Sequence, residues 1–254
     1  MTKIEQSIKL IKKTEKLALK YRDFGFHVAF SGGKDSQVIY ELCKMAGVKF
    51  KAFCYDTSVM SIELRHFIRE NYPDIEWIRA IQTMYQLIIQ EKMLPMKNKR
   101  YCCRILKERQ GLNSVVISGI RKSENPMKRG KRNDFEMRCI KGEDKILLNP
   151  ILDWTKNNIE KFIKERNITI CSEYNEFKRN LSCVGCPQNS KEQRKAFRKY
   201  PNFKKAYINT VKKIMKQGKF SQFESAEDVI DWWSSGISVK KWLANKNQYK
   251  ITYK

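Results

Sequence analysis

Apolar residues along this chain recur with two periods. Residues 3–21 place Ile4, Ile8, Ile11, Leu17 and Leu19 between charges, which predicts an amphipathic helix. "GFHVAF" is a short apolar run ending at Ser-Gly-Gly, a buried strand entering a tight turn, with a helix expected near 36–46. The alternation continues. "VKFKAFCYD" reads as a strand, "SIELRHFIREN" as a helix, "IEWIRAI" as a strand and "MYQLIIQEKM" as a helix. A basic loop over 95–101 leads into "CCRILKERQ", expected to be helical, and then "NSVVISGI", a further strand. Residues 122–144 are polar, charged and glycine-punctuated, which predicts a loop or a flap over a site. "KILLNPIL" and "NITI" have strand character, and "TKNNIEKFIKERN" is a helix capped by Thr155. Beyond Cys186 the pattern is mostly helical, with Trp232-Trp233 expected to anchor those helices in a core.

Strands alternating with helices predict an α/β fold with a mainly parallel sheet, whose ligand lies beyond the carboxyl ends of the strands. Residues 1–170 are expected to form the α/β domain and residues 171–254 a helical, basic annex. No apolar run approaches the ~18 residues of a membrane span, and "MTKIEQSIKL" lacks the apolar core of a secretory signal. The expectation is a soluble, cytoplasmic protein with no membrane partner.

Charge adds a partner to this picture. The formal net charge is +25, from 52 basic and 27 acidic residues. Residues 97–147 hold 15 Lys/Arg against 6 Asp/Glu, and residues 178–219 hold 13 against 1. Such clustering fits a polyanion, a nucleic acid such as tRNA or DNA; a general lysine bias is the competing explanation. "RKAFRKYPNFKKAYINTVKKIMK", residues 194–216, interleaves cations with Phe197, Tyr200, Phe203 and Tyr207. Lys195, Arg198, Lys199, Lys204 and Lys205 are the candidate phosphate contacts. The rings either stack on bases or face the core of two amphipathic helices.

The chemistry concentrates in "SGGKDS", residues 31–36. Glycines after a strand let backbone N–H groups converge, and the next helix adds its N-terminal donors and dipole. Lys34 contributes a charge, and Ser31 and Ser36 contribute hydroxyls. The loop is not a Walker A motif: Val28 stands five residues before Gly33, and Asp35 follows Lys34. Asp35 would repel phosphate unless it binds Mg²⁺ or caps the helix.

"SGGKDS" resembles the PP-loop of the ATP pyrophosphatase superfamily. "YDTSVMSIELRHFI" resembles the Asp-Thr-Gly segment of the phosphoadenosine phosphosulfate (PAPS) reductase family, with Ser58 in place of the usual glycine. "SGIRKSEN" and "NPILDWTKNNIEKFI" resemble two further segments of that family in the same order, and Arg129 stands where a later basic residue is found. The resemblance implies an adenine nucleotide α-hydrolase-like sheet. ATP, or a sulfonucleotide, would lie with its adenine against the backbone near Phe30 and beside Asp56 and Thr57. Residues Ser31, Gly32, Gly33, Lys34, Asp35 and Ser36 would grip its anionic end. Gly119 and Arg121 would complete the cradle, with Arg121 reaching the anion and Glu124 orienting Arg121 or Mg²⁺. Lys34, Asp35 and Arg121 are the implied catalytic residues.

Eight cysteines in a cytoplasmic chain point to metal or redox chemistry rather than disulfides. Cys102-Cys103 and Cys183-x-x-Cys186 form two vicinal pairs with 79 residues between them. "SCVGCP" resembles a cysteine motif of the family, and the pair set resembles the [4Fe–4S] ligation of its adenylyl-sulfate reductase branch. Zinc and unliganded thiols stay open as alternatives. Cys43, Cys54 and Cys171 are expected to pack, Cys139 is a candidate nucleophile in the flap, and His27 and His66 are expected to be structural.

The family's sulfonucleotide reductases carry a catalytic cysteine near the C-terminus. Here no cysteine follows Cys186, so the expected activity is instead ATP-dependent adenylation of an acceptor, a nucleic acid by its charge, followed by sulfur transfer from a donor protein. A reductase using an external thiol and a non-catalytic nucleotide- or nucleic-acid-binding protein are the alternatives.

Overall fold

A computed structural model describes residues 1–140, 143–178 and 182–252. The chain opens with α1 (Lys3–Tyr21), β1 (Phe26–Phe30), α2 (Lys34–Ala46), β2 (Phe50–Asp56), α3 (Ile62–Asn71) and β3 (Glu76–Arg79). There follow α4 (Met84–Glu91), α5 (Tyr101–Cys103), β4 (Ser114–Ile117), α6 (Pro126–Arg129), β5 (Phe135–Ile140) and β6 (Glu143–Leu148). The remaining helices are α7 (Lys156–Glu165), α8 (Ser190–Lys199), α9 (Pro201–Met215), α10 (Ala226–Ser235) and α11 (Val239–Thr252).

The chain divides into two compact units: residues Met1–Asp56, Ile62–Arg79 and Leu106–Ser182 form one, and Thr57–Ser61, Ala80–Ile105 and Cys183–Lys254 the other. The second unit thus draws two segments from upstream of the expected boundary at residue 170. This is why local composition could not mark it.

The first unit is an α/β fold around one six-stranded sheet of order β3-β2-β1-β4-β6-β5. All neighbouring pairs run parallel except β5 against β6. Strand order reverses between β1 and β4, the position where ligands of such sheets bind. The central strands are apolar on both faces, with Phe26, Val28 and Val115 wholly buried. Helix α1 begins in a Thr2–Glu5 capping box. Its buried stripe is Ser7, Ile11, Thr14 and Ala18, so of the aliphatic set the spacing predicts only Ile11 is buried. Ser7 explains the rotation: its Oγ donates to the Pro150 carbonyl at 2.6 Å and accepts from Trp154 Nε1 at 3.1 Å.

Three local expectations change. The flap over 122–144 contains β5, an antiparallel edge strand that exposes Phe135 and Met137, and residues 141–142 lie outside the described residues. Its alternation "FEMRCI" was masked by the surrounding charge, and Cys139 lies on this strand rather than in a loop. "CCRILKERQ" is only briefly α-helical and passes into a π-helical turn, Arg104–Glu108. "NITI" is not a strand, because the Thr169 carbonyl is taken by the Gln37 side chain at 2.7 Å instead of by a sheet neighbour.

The second unit is helical. Tyr207, Val211, Ile214, Val229, Ile230 and Trp233 form its core. Trp233 Nε1 donates to the Pro95 carbonyl at 2.8 Å, so the tandem tryptophans do anchor this unit. No helix among the described residues is long and apolar enough to cross a membrane.

Candidate functional site

The turn after β1 is built as its residues require. Gly32 has φ +70°, a conformation that disfavours any residue with a Cβ. A Cβ there would also lie 2.7 Å from Leu64 Cδ1 and 2.8 Å from Ile68 Cδ1, both on α3. Gly33 is the N-cap of α2 and has no side chain of its own to cap that helix end. Ser36 Oγ donates to the Gly33 carbonyl at 2.8 Å and accepts the Ser31 N–H at 3.2 Å, drawing the loop into a ring. Ser31 itself is exposed at the mouth. The Phe30 ring packs into the core against Tyr72 and Tyr40.

Asp35 is not left facing an anion. Arg121 Nε donates to its Oδ1 at 2.7 Å and Nη2 to its Oδ2 at 3.3 Å, a bidentate pair that neutralises the carboxylate. Gly119 permits this approach, because a Cβ there would sit 3.0 Å from Asp35 Cβ. Arg121 is 9% exposed, and its Nη1 donates to Ser123 Oγ at 3.0 Å. All three of its nitrogens are thus engaged, with Asp35 and Ser123 as their partners. Glu124 lies 3.7 Å from Arg121 Nη2 and pairs with Arg129.

Tyr174 was not legible as a site residue. Its hydroxyl accepts the Lys34 backbone N–H at 3.2 Å, and the Lys34 ammonium lies 4.7 Å above its ring and 3.9 Å from Glu160. Arg65 was also missed: it grips Asp56 through two bonds of 2.7 and 3.1 Å and lies over the Trp77 ring. A basic residue nine positions further along the chain, on the next helix, carries no local signal for such a pair. His27 is buried and stacks on Phe53 with its Nε2 against Tyr55 Oη. Burial, then the positive Lys145 and Arg22, hold its pKa down to about 3. It is therefore a neutral core group, as expected, while His66 is exposed on α3.

A phosphoadenosine phosphosulfate reductase domain model matches residues 25–192, which include every strand and the loop 31–36. The chain belongs to this family, within the PP-loop superfamily. Among curated relatives, a probable FAD synthase of Schizosaccharomyces pombe is 28% identical over 171 residues, covering 62% of each chain. An uncharacterized protein of Methanocaldococcus jannaschii is 22% identical over 192 residues, covering 72% of this chain and 46% of its own. The present chain thus spans about half to under two thirds of these relatives. Among solved structures, Candida glabrata FMN adenylyltransferase in complex with ATP aligns at 18% identity and TM-score 0.47 over 68% of this chain and 57% of that one. The Candida auris PAPS reductase phosphate complex aligns at 15% and 0.44 over 66% and 89%.

This PAPS reductase family member departs from the usual Asp-Thr-Gly at Ser58, which adopts φ +63°. That left-handed backbone is the reason glycine suits the position. Here the hydroxyl compensates by accepting the Met84 N–H at 2.9 Å at the start of α4. Neighbouring Thr57 is buried in the second unit, with Oγ1 3.4 Å from Cys183 Sγ.

The four cysteines singled out by spacing all lie in the second unit, and none is in a disulfide. The Cys102 thiol is pushed well up by its hydrogen bond to Cys103 and by burial, with Cys183 and Cys186 adding to the effect, so the four lie within electrostatic reach. The Cys183–Cys186 turn rests on an aromatic floor. A Cβ on Gly185, whose φ is +81°, would meet Tyr207, Phe197 and Trp233 at 3.0 to 3.2 Å. The Tyr207 hydroxyl donates to the Val184 carbonyl at 3.1 Å. Among the described residues, however, no three Cys, His, Asp or Glu side chains converge in an arrangement ready for a metal ion. The remaining cysteines behave as expected at Cys43, Cys54 and Cys171, which are buried, and Cys139 is exposed.

In the basic annex, α8 exposes Arg194, Lys195 and Arg198 on the face opposite buried Ala196, Phe197 and Tyr200. Lys204 and Lys205 follow on α9, with Lys204 Nζ 3.3 Å from Asp231. Phe197, Tyr200 and Tyr207 are 1 to 8% exposed, which removes these three as stacking platforms for bases. Their rings form the core and leave the outward cations, Lys199 among them, as the part available to a polyanion.

Proposed function

We propose that this chain is a PAPS reductase-like ATP pyrophosphatase that adenylates an acceptor, a nucleic acid, for sulfur transfer. The observation that carries the reading is the glycine turn at the strand-order reversal, with Asp35 neutralised by Arg121 beside it. In the proposed reaction an acceptor oxygen attacks the α-phosphorus of ATP. The bond from that phosphorus to the bridging oxygen breaks, and pyrophosphate leaves with the electron pair. A sulfur nucleophile from a donor protein then displaces AMP from the acceptor.

Loop N–H groups and the α2 N-terminus would bind the pyrophosphate, and Lys34 would offset its growing charge. Asp35 would use the oxygen lone pairs not taken by Arg121 to hold Mg²⁺, which supplies further neutralisation when bound. Asp56, fixed by Arg65, would stand beside the adenine, with Thr57 next to it in sequence. The cysteine set Cys102, Cys103, Cys183 and Cys186 offers four soft thiols in two vicinal pairs. That donor chemistry suits a [4Fe–4S] cluster, with zinc as the alternative.

The test is ATP–pyrophosphate exchange by the full chain with and without tRNA or DNA. Exchange that disappears in Lys34→Ala and Asp35→Ala, each still folded by circular dichroism, is the expected result; full exchange in both variants removes the cradle assignment. Iron and sulfide analysis of anaerobically purified protein tests the cluster, and stoichiometric zinc in a colourless sample rejects it. A second reading, adenylyl transfer to a small acceptor, is favoured by the relative named as a probable FAD synthase. It predicts exchange stimulated by FMN and indifferent to nucleic acid. Sulfite release from a sulfonucleotide would instead mark a reductase using an external thiol, and nucleotide binding without turnover a non-catalytic protein.

A further inference from the structure

The second unit contains a groove of about 440 Å³ whose lining includes Arg194, Arg198, Lys204, Asp231 and Trp242. Its volume lies in the range of small-ligand sites. Three cations face one carboxylate, and that carboxylate already has Lys204 at 3.3 Å. The Arg194 guanidinium is drawn to the same end of α10, with Nη2 3.4 Å from the Asp231 carbonyl. Trp242 is half-buried, with the Phe223 ring at 5.5 Å and the Lys246 ammonium 5.4 Å over its own ring, so a base that reaches the indole does so by taking the place of that cation.

We infer that this groove binds an unpaired nucleotide of single-stranded nucleic acid, with its phosphates on Arg194 and Arg198 and its base against Trp242. The charge complementarity continues outside the groove, because residues 178–219 carry 13 Lys/Arg against one Glu. An indole beside guanidinium groups distinguishes this occupant from others. A duplex keeps its bases stacked inside, and an acidic peptide has no flat ring to place on Trp242. The inference rests on the acceptor half of the proposed function and specifies where that acceptor is held. It uses none of the residues assigned to the nucleotide cradle.

Fluorescence anisotropy of the full chain with labelled twelve-residue oligothymidylate and oligouridylate tests it, across a salt titration. The expected result is saturable binding that weakens with salt, with a slope of about 0.7 per phosphate neutralised. Trp242→Leu weakens binding by about tenfold or more. Arg198→Gln, at an exposed helix position, lowers the salt slope by roughly one phosphate contact without affecting the fold. Saturable, salt-sensitive binding of either oligomer supports the groove. Equal affinity for a duplex of the same length, equal displacement by polyglutamate, or wild-type affinity in both variants overturns the inference. ATP affinity measured by calorimetry on the same variants stays at the wild-type level, because neither residue belongs to the nucleotide cradle. A wild-type chain that binds oligomer through Trp242 but exchanges no pyrophosphate keeps the groove and loses the activation chemistry; the converse result removes the groove alone.

Discussion

Replacing Gly32 by alanine tests the turn at its tightest point. Two costs add. Placing a Cβ at φ +70° costs about 1–2 kcal/mol. The new methyl also lies 2.7 to 2.9 Å from side-chain carbons of Leu64 and Ile68, both wholly buried, so they cannot swing into solvent. Overpacking of this kind costs about 1–3 kcal/mol. Gly47 provides the control: its φ is +66°, and nothing lies within 4 Å of a Cβ built there. Gly47→Ala bears only the backbone cost and shares the same gain from a less flexible unfolded chain. The difference between the two variants therefore isolates the steric term, about 1–3 kcal/mol. Urea denaturation followed by circular dichroism measures both, and the same preparations give ATP affinity. In a double-mutant cycle, Gly32→Ala with Leu64→Ala should cost less than the sum of the two single variants, because truncating Leu64 makes room for the new methyl. Equal destabilisation of the Gly32 and Gly47 variants, or additive costs in the cycle, would refute the account of why glycine is required.

Acid should destabilise the protein through His27. Its folded pKa of about 3 lies below the unfolded value of 6.5, so the unfolded chain binds the extra proton between these limits. The stabilisation of roughly 4–5 kcal/mol is complete above pH 6.5 and lost as pH falls toward 3; His27→Gln should flatten urea midpoints between pH 7 and 4, and an unchanged slope counts against it. Tyr174→Phe removes the hydroxyl that holds the Lys34 N–H, so ATP affinity measured by calorimetry should rise about two- to tenfold, the value of one net hydrogen bond. Weaker binding would show instead that the hydroxyl serves the nucleotide. Ser58→Ala loses the bond to the Met84 N–H and should cost about 1 kcal/mol, whereas Ser58→Gly also relieves the φ of +63° and should come out near neutral in the same melts.

Local pattern alone carried the strand-turn-helix at residues 26–46 and the parallel character of the sheet. Each depends on neighbours within a few residues: an apolar run, glycines that free the backbone, a helix start. The pairs of cysteines were legible for the same reason. What lay outside local reach was every partner brought in by the topology. Arg121 meets Asp35 because β4 lies beside β1, and Arg65 meets Asp56 because α3 folds back along β2. Tyr174 reaches Lys34 from 140 residues away. The edge strand β5 was hidden because a strand exposed on one face keeps its charges, and the groove at Trp242 because its walls come from separate helices. Sequence fixes what a segment prefers over its own few residues, and packing alone decides which distant side chains share one small volume.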